Sequence, residues 1–222
     1  LAEVTIAGPG FINFRFAPSY WWTCLRECER AGETYGHSTV GKGARVQVEF
    51  VSANPTGPLH VGHARGAVTG DALARLLAAT GHQVEREYYV NDAGNQMEML
   101  GASTYARYAE LCGREVAFPE DGYHGDYVRD VAAAIRDREG DRWVDVDPAT
   151  ARAHLRDQAG ADLLDAIRDD VATLSIGFDA YVSERKLRAD GVVDATLAAL
   201  AERGVVYEAD GARWFRSTDF GD

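Results

Sequence analysis

Ile12, Phe14 and Phe16 alternate with Asn13 and Arg15, so Gly8 to Phe16 reads as a turn followed by a half-buried strand. Pro18 suits the first turn of a helix whose apolar side would hold Trp21, Trp22, Leu25 and Cys28. Gly36 to Gly43 is glycine-rich and poor in apolar residues, which predicts a linker. Val46, Val48 and Phe50 then alternate along a short strand. A Pro/Gly-rich loop runs from Ser52 to Gly62. A helix is predicted from about His63 to Thr80, with Val68, Ala72, Leu76 and Ala79 at helical spacing and Gly81 as its C-terminal cap. Val84 to Val90 is a second strand. Strand, loop, helix, strand in this length makes a βαβ unit, which requires parallel strands and a right-handed crossover.

Asn91 and Asp92 end that strand, and a further helix is predicted from Gly94 to Leu111. Arg114 to Gly125 and Glu139 to Asp147 read as loops around a helix from Tyr127 to Arg138. Pro148 opens a long helix buried along Leu155, Leu163, Ile167 and Leu174. Phe178 and Tyr181 mark a short strand or turn. Val192, Val193, Leu197 and Leu200 mark a helix closed by Gly204. Val205 to Phe215, turning at Asp210-Gly211, reads as a hairpin.

Composition narrows the class. The apolar share of 46% supplies an ordinary core. A formal charge of -12 argues against nonspecific coating of nucleic acid, which depends on Lys and Arg neutralising phosphates. No apolar stretch approaches the roughly 20 residues of a membrane helix. The N-terminus lacks both a signal-peptide layout and an initiator Met, so the chain is expected to begin mid-protein. Cys24, Cys28 and Cys112 form no paired framework, which predicts a reducing, cytoplasmic setting. Cys24 and Cys28 read as small semi-buried side chains on one helix.

Candidate chemistry concentrates where the first strand meets its helix. Ligands of open α/β sheets bind beyond the carboxyl ends of the strands. The helix N-terminus there offers free N–H groups to phosphate. Gly62 allows a nucleotide to approach the backbone, and the imidazoles of His60 and His63 can donate to phosphate oxygens. A His-x-x-His pair can also bind metal, but the loop supplies no third ligand. On these residues alone, a phosphate site and a locally satisfied structural pair stay equally open.

The flanking residues change that balance. Val48-Glu49-Phe50-Val51-Ser52-Ala53-Asn54-Pro55-Thr56-Gly57-Pro58-Leu59-His60-Val61-Gly62-His63, continuing to Leu77, resembles bacterial arginyl-tRNA synthetases, which are class I enzymes. Tyr89 to Gln96, Gly177 to Glu184, Gly8 to Phe14 and Tyr207 to Asp222 resemble further segments of that family. The resemblance implies an α/β fold: the first half of a Rossmann-like parallel-sheet catalytic domain, with a mostly helical insertion containing a β-hairpin. It implies residues 1-40 as the end of an N-terminal tRNA-contacting domain plus linker, 41-112 as the half-sheet, and 113-222 as insertion and hairpin.

The implied activity joins L-arginine to ATP, with Mg2+ expected, then transfers arginine to tRNA(Arg). The implied ATP contacts are Pro58, His60, Gly62 and His63, with His60 and His63 serving the transition state. The implied arginine contacts are Glu49, Ser52, Asn54, His63, Asp92 and Gln96, Glu49 meeting the guanidinium. Without the resemblance, Glu49 reads as a solvated strand residue, Asp92 and Gln96 equally as caps of the following helix, and Asp71 stays open between a supporting and an exposed role. The protein is expected to act as a monomer with no membrane partner.

Two features depart from the family pattern. The second class I signature, a Lys-Met-Ser-Lys-Ser-type loop, is absent, and Gly57 stands where some family members carry a compensating lysine. The chain is therefore expected to be an incomplete stretch, without aminoacylation activity of its own. Competing readings are a small nucleotidylyltransferase sharing the His-x-Gly-His loop, another class I synthetase, and a noncatalytic module binding ATP, arginine or tRNA.

Overall fold

The computed structural model describes residues 1–222. Its contacts divide into two compact units, Leu1–Val46 with Ala74–Val84, and Gln47–Leu73 with Glu85–Asp222.

In the first unit, β1 (Glu3–Ala7) pairs antiparallel with β2 (Phe11–Arg15), Glu3 opposite Arg15. The residue pattern predicted only the second arm. Every residue of both strands is exposed, so β1 shows no buried face to read and the half-buried face expected of Ile12, Phe14 and Phe16 is open. α1 (Pro18–Ala31) has proline in its first turn, as expected. Its expected apolar side is open instead of covered: Trp21, Trp22 and Leu25 are exposed, while Cys24 and Cys28 are half-buried.

The segment expected as a linker has no helix or strand, but it is bonded to the end of the helix Val61–Ala79. The N–H groups of Ser38, Gly41 and Gly43 donate to the carbonyls of Ala79, Thr80 and Gly81 at 2.9, 2.8 and 2.8 Å. These bonds satisfy the carbonyls that a helix end leaves without partners, and they pin the segment down. Gly81 adopts φ of 87°, the left-handed cap its position predicted.

β3 (Arg45–Glu49), β4 (Gln83–Val90) and β5 (Ala180–Ser183) form one parallel sheet in that order. β5 comes from beyond residue 112, where the pattern left strand and turn open. α2 (Val61–Ala79) joins β3 to β4. The face it buries is not the predicted one. Val68 and Leu76 are 55% and 65% exposed, whereas Ala67, Gly70, Asp71 and Ala74 are buried. Close approach decides this: a Cβ on Gly70 would stand 2.2 Å from Cγ of Phe50. The helix therefore turns its small residues toward the strand. Of the two roles left open for Asp71 the exposed one falls: it is buried and pairs with Arg86 at 3.7 Å.

α3 (Asn95–Leu111), α4 (Asp126–Glu139) and α5 (Pro148–Thr173) pack together through Met97, Leu100, Tyr108, Ile135, Leu155 and Leu163. Asp147 caps α5, accepting from the Thr150 N–H at 3.0 Å. Leu155, Leu163 and Ile167 are buried as predicted, but Leu174 is 48% exposed because it follows the last helical residue. The predicted loop after α4 contains a 3-10 turn, Arg142–Val144. There Glu139 accepts from Trp143 Nε1 at 2.7 Å, from His154 Nε2 at 3.1 Å and from Arg142. Burial alone would raise the Glu139 carboxyl, but these donors hold it at about 2.

A second apolar cluster, Tyr88, Val90 and Ile167 with Leu59, Phe178 and Tyr181, lies against the sheet. α6 (Glu184–Ala189), which the pattern did not predict, is capped by Ser183. α7 (Val192–Glu202) ends at Gly204 as expected. β6 (Val206–Ala209) and β7 (Ala212–Phe215) form the predicted hairpin; Asp210 and Gly211 both have positive φ, 53° and 74°, as a tight hairpin turn requires. No helix is long and apolar enough to cross a membrane.

Candidate functional site

The loop between β3 and α2 leaves the strand in an unusual conformation. Val51 and Ser52 have φ of 66° and 42°, a left-handed backbone that a β-branched residue rarely adopts. Such strain persists only where surrounding bonds overdetermine it. Here they come from several elements. Ser52 Oγ donates to Glu49 Oε1 at 2.9 Å and accepts from the Tyr89 N–H at 3.1 Å. The hydroxyl of Tyr88 on β4 donates to the Ala53 carbonyl at 2.8 Å. Burial pushes the Tyr88 phenol up to about 12, so it stays a donor. Asn54 Nδ2 donates to Gln96 Oε1 on α3. The hydroxyl of Tyr127 on α4 donates to the Thr56 carbonyl at 2.8 Å.

The two histidines close the loop onto α2. A helix start leaves its first N–H groups without intrahelical acceptors. The Gly62 N–H donates to His60 Nδ1 at 3.1 Å, and the His60 N–H donates to His63 Nδ1 at 3.3 Å. This reciprocity is that of a capping box, built from imidazoles instead of a hydroxyl and a carboxylate. The rings stack at 3.8 Å with an interplanar angle of 18°. An imidazole that accepts at Nδ1 carries its proton on Nε2, so this network assigns both rings as Nε2–H donors. Burial, then the neighbouring His60 charge, lowers the His63 pKa and favours that neutral form.

A cavity of about 480 Å³ is lined by Ser52, Asn54, Gly57, Pro58 and His63 from the loop and helix start, and by Tyr123 and Tyr127. It gathers four of the residues singled out from sequence: Ser52, Asn54, Pro58 and His63. Glu49 joins through Ser52 and Gln96 through Asn54, while His60 and Gly62 share the helix cap with His63. Gln96 is thus bonded to the loop, not spent as a cap.

Asp92 is occupied differently. Its oxygens accept from Ser183 Oγ at 2.7 Å and the Arg185 N–H at 2.9 Å, so it fastens the start of α6 to the end of β4. It does cap a helix, but α6 instead of α3, whose N-cap is Gly94. No three His, Cys, Asp or Glu side chains are grouped to hold a metal ion. Sequence reasoning missed Tyr88, Tyr123 and Tyr127. Tyr88 adjoins a recognisable motif, but Tyr127 lies 71 positions from Thr56 with nothing around it to signal the contact.

Residues 31–222 match the family model described as tRNA synthetases class I (R), catalytic domain. An arginine–tRNA ligase of Citrifermentans bemidjiense is 48% identical over 222 residues, and one of Desulfosudis oleivorans is 51% identical over 222 residues. Each alignment covers 100% of this chain and 40% of the relative, so the chain spans about two fifths of the relatives it matches. A solved structure from Campylobacter jejuni, described as an arginyl-tRNA synthetase, superposes with a TM-score of 0.80 at 33% identity, covering 93% of this chain and 45% of that one. The Thermus thermophilus arginyl-tRNA synthetase superposes with a TM-score of 0.58 at 26% identity, covering 95% of this chain and 34% of that one. The family model covers residues 31–222, most of the chain, and the chain belongs to the class I arginyl-tRNA synthetases through their catalytic domain.

Proposed function

We propose that the Glu49–His63 region binds ATP and L-arginine and supports formation of arginyl adenylate, from which arginine passes to tRNA(Arg). The observation that carries this reading is the imidazole capping box. It uses both Nδ1 atoms for structure and leaves two Nε2–H donors, beside the N-terminus of α2, for phosphate oxygens.

The arginine carboxylate is already an anion, so it attacks the α-phosphorus without a general base. The bond from that phosphorus to the bridging oxygen breaks, and pyrophosphate leaves with the electron pair. Negative charge on the phosphate oxygens strengthens hydrogen bonds from His60 and His63 in the transition state, which is where stabilisation accelerates reaction. Pro58 and Gly62 shape the nucleotide side. Glu49 receives the guanidinium, Ser52, Asn54 and His63 orient the arginine backbone groups, and Gln96 lines the same crevice through its bond with Asn54. Asp92 completes the crevice by fixing Ser183 and Arg185. The protein residues offer no ready carboxylate cluster for Mg2+; the ion expected with ATP is carried on its phosphates.

Residues 1-40 are assigned to the end of a tRNA-contacting domain and linker, 41-112 to the half-sheet, and 113-222 to insertion and hairpin, except that β5 within the last stretch adds the third strand of the sheet. The proposed setting is a cytoplasmic monomer. Calorimetric titration of the full-length enzyme separates the two ligands. Glu49→Gln should weaken arginine binding while ATP binding holds, and His63→Ala should weaken ATP. Unchanged arginine affinity in Glu49→Gln would remove Glu49 from the site.

A further inference from the structure

We propose that Tyr127 is a positioning residue for this reaction, setting the signature loop from the helical segment that packs beside it. The inference rests on the ATP and arginine reading above and adds a residue that no motif of that reading contains.

Three observations converge on a purpose-built seat for this side chain. Its hydroxyl donates to the Thr56 carbonyl at 2.8 Å, on the stretch that leads through Pro58 into His60. Its ring covers Gly57: a Cβ there would meet Tyr127 Oη at 3.2 Å and Cζ at 3.3 Å. The ring can fold back over the start of α4 because Gly125 also lacks a side chain, where a Cβ would stand 2.5 Å from Tyr127 Cε1. Room is therefore left for one aromatic ring by two glycines from two segments. The ring also lines the same cavity as Asn54 and His63, together with Tyr123. Tyr123 is held in turn by its N–H, which donates to Ser103 Oγ on α3 at 2.9 Å.

The chemistry follows from this seat. The loop is buried at Ala53 and Pro55 and packs Leu59 against the sheet cluster, but between Pro55 and Leu59 the Tyr127 bond is what fixes the backbone, and its first residues are strained at Val51 and Ser52. Tyr88 holds it at Ala53, and Tyr127 holds it three residues later at Thr56. Burial raises the Tyr127 phenol pKa, so the hydroxyl stays a donor. Releasing the Thr56 end frees Gly57–Pro58–Leu59 and shifts His60 and His63 relative to bound phosphates. Misplacement of about 1 Å can cost on the order of 100-fold in rate. The same packing makes Gly57 a sensitive position: a Cβ there presses on the Tyr127 ring and hydroxyl, which must give by a few tenths of an ångström at the Thr56 contact.

The test uses the full-length enzyme and a matched control. Tyr108 makes a similar tyrosine-to-carbonyl bond, to Gly140 at 2.6 Å, inside the helical core and away from the loop. Tyr127→Phe and Tyr108→Phe each delete one buried hydroxyl. Steady-state charging kinetics and thermal melts are measured for both. Tyr127→Phe should lower kcat roughly tenfold with a smaller change in KM, as expected for loss of transition-state alignment. Tyr108→Phe should shift the melt comparably and leave kcat unchanged. Gly57→Ala should reproduce the Tyr127→Phe defect and add little to it in the double variant, because both act through one contact. Equal kcat in Tyr127→Phe and the parent enzyme, with a similar melting shift, would overturn the proposal and leave Tyr127 as packing only. His63→Ala, run alongside, keeps the two readings apart. If His63→Ala also charges normally, the site assignment itself fails; if only Tyr127→Phe is silent, the positioning role fails alone.

Discussion

The signature loop and the α3–α4–α5 bundle are held by different physics. The bundle is fixed by apolar burial: Met97, Leu100, Ile135 and Leu155 are each no more than 1% exposed and touch across three helices. The loop from Val51 to His63 buries Pro55 and packs Leu59 on the sheet cluster, but its course is set by polar bonds to its own carbonyls and side chains, reaching in from β4, α3 and α4. Burial energy is nondirectional and tolerates small shifts, whereas hydrogen bonds specify position within tenths of an ångström. A site that must aim donors at developing charge needs the second kind of restraint, supported by the first.

The contrast predicts separable failures. Leu155→Ala should cost about 2–5 kcal/mol of stability through lost transfer energy and a cavity. Charging per folded molecule should stay near the parent value; kinetics corrected for folded fraction check this. Gly70→Ala should cost about 1–3 kcal/mol by forcing α2 away from Phe50. Because α2 also carries His63, this variant should lose rate as well as stability, which would sharpen the boundary between the two regions. Tyr88→Phe should cost about 0.5–1.5 kcal/mol in a denaturant titration, with the Ala53 carbonyl left unpaired.

These effects also show what could be read from residue order alone. The β3–α2–β4 unit was legible because Val48 and Phe50 alternate and Gly81 caps the helix, all local signals. The phase of α2 was not. Helical spacing suits both the Val68–Leu76 face and the Ala67–Ala74 face, and only the proximity of Phe50 to Gly70 selects the smaller residues. The site was half legible in the same way. His60, Gly62, His63, Ser52 and Asn54 lie within one short run. Tyr127 and the capping role of Asp92 depend on contacts 71 and 93 positions away, which no local pattern records. The exposed Trp21, Trp22 and Leu25 show the converse: periodicity marked an apolar face, but nothing in the described residues buries it.

Acid should separate the regions more gently. The His63 pKa is lowered from 6.5 in the fold, so the unfolded chain binds the extra proton first. Its stabilising share is full above 6.5 and is lost as pH falls below that value. Glu139 is lowered from 4.5 to about 2, so its share is full above 4.5 and is lost as pH falls toward 2. Hydrogen exchange across a pH series should show loosening at the start of α2 before the α4–α5 junction. Glu139→Gln should flatten the lower limb only. Simultaneous loosening of both regions would mean they are not independently held.

The most direct test is the rate of arginine transfer to tRNA(Arg) by the full-length enzyme carrying His63→Ala. The account predicts a fall in kcat of about 100-fold or more, as for loss of one aligned donor to transition-state charge, with only the modest drop in melting temperature expected for loss of one cap bond, about 0.5–2 kcal/mol. A kcat within twofold of the parent would contradict it.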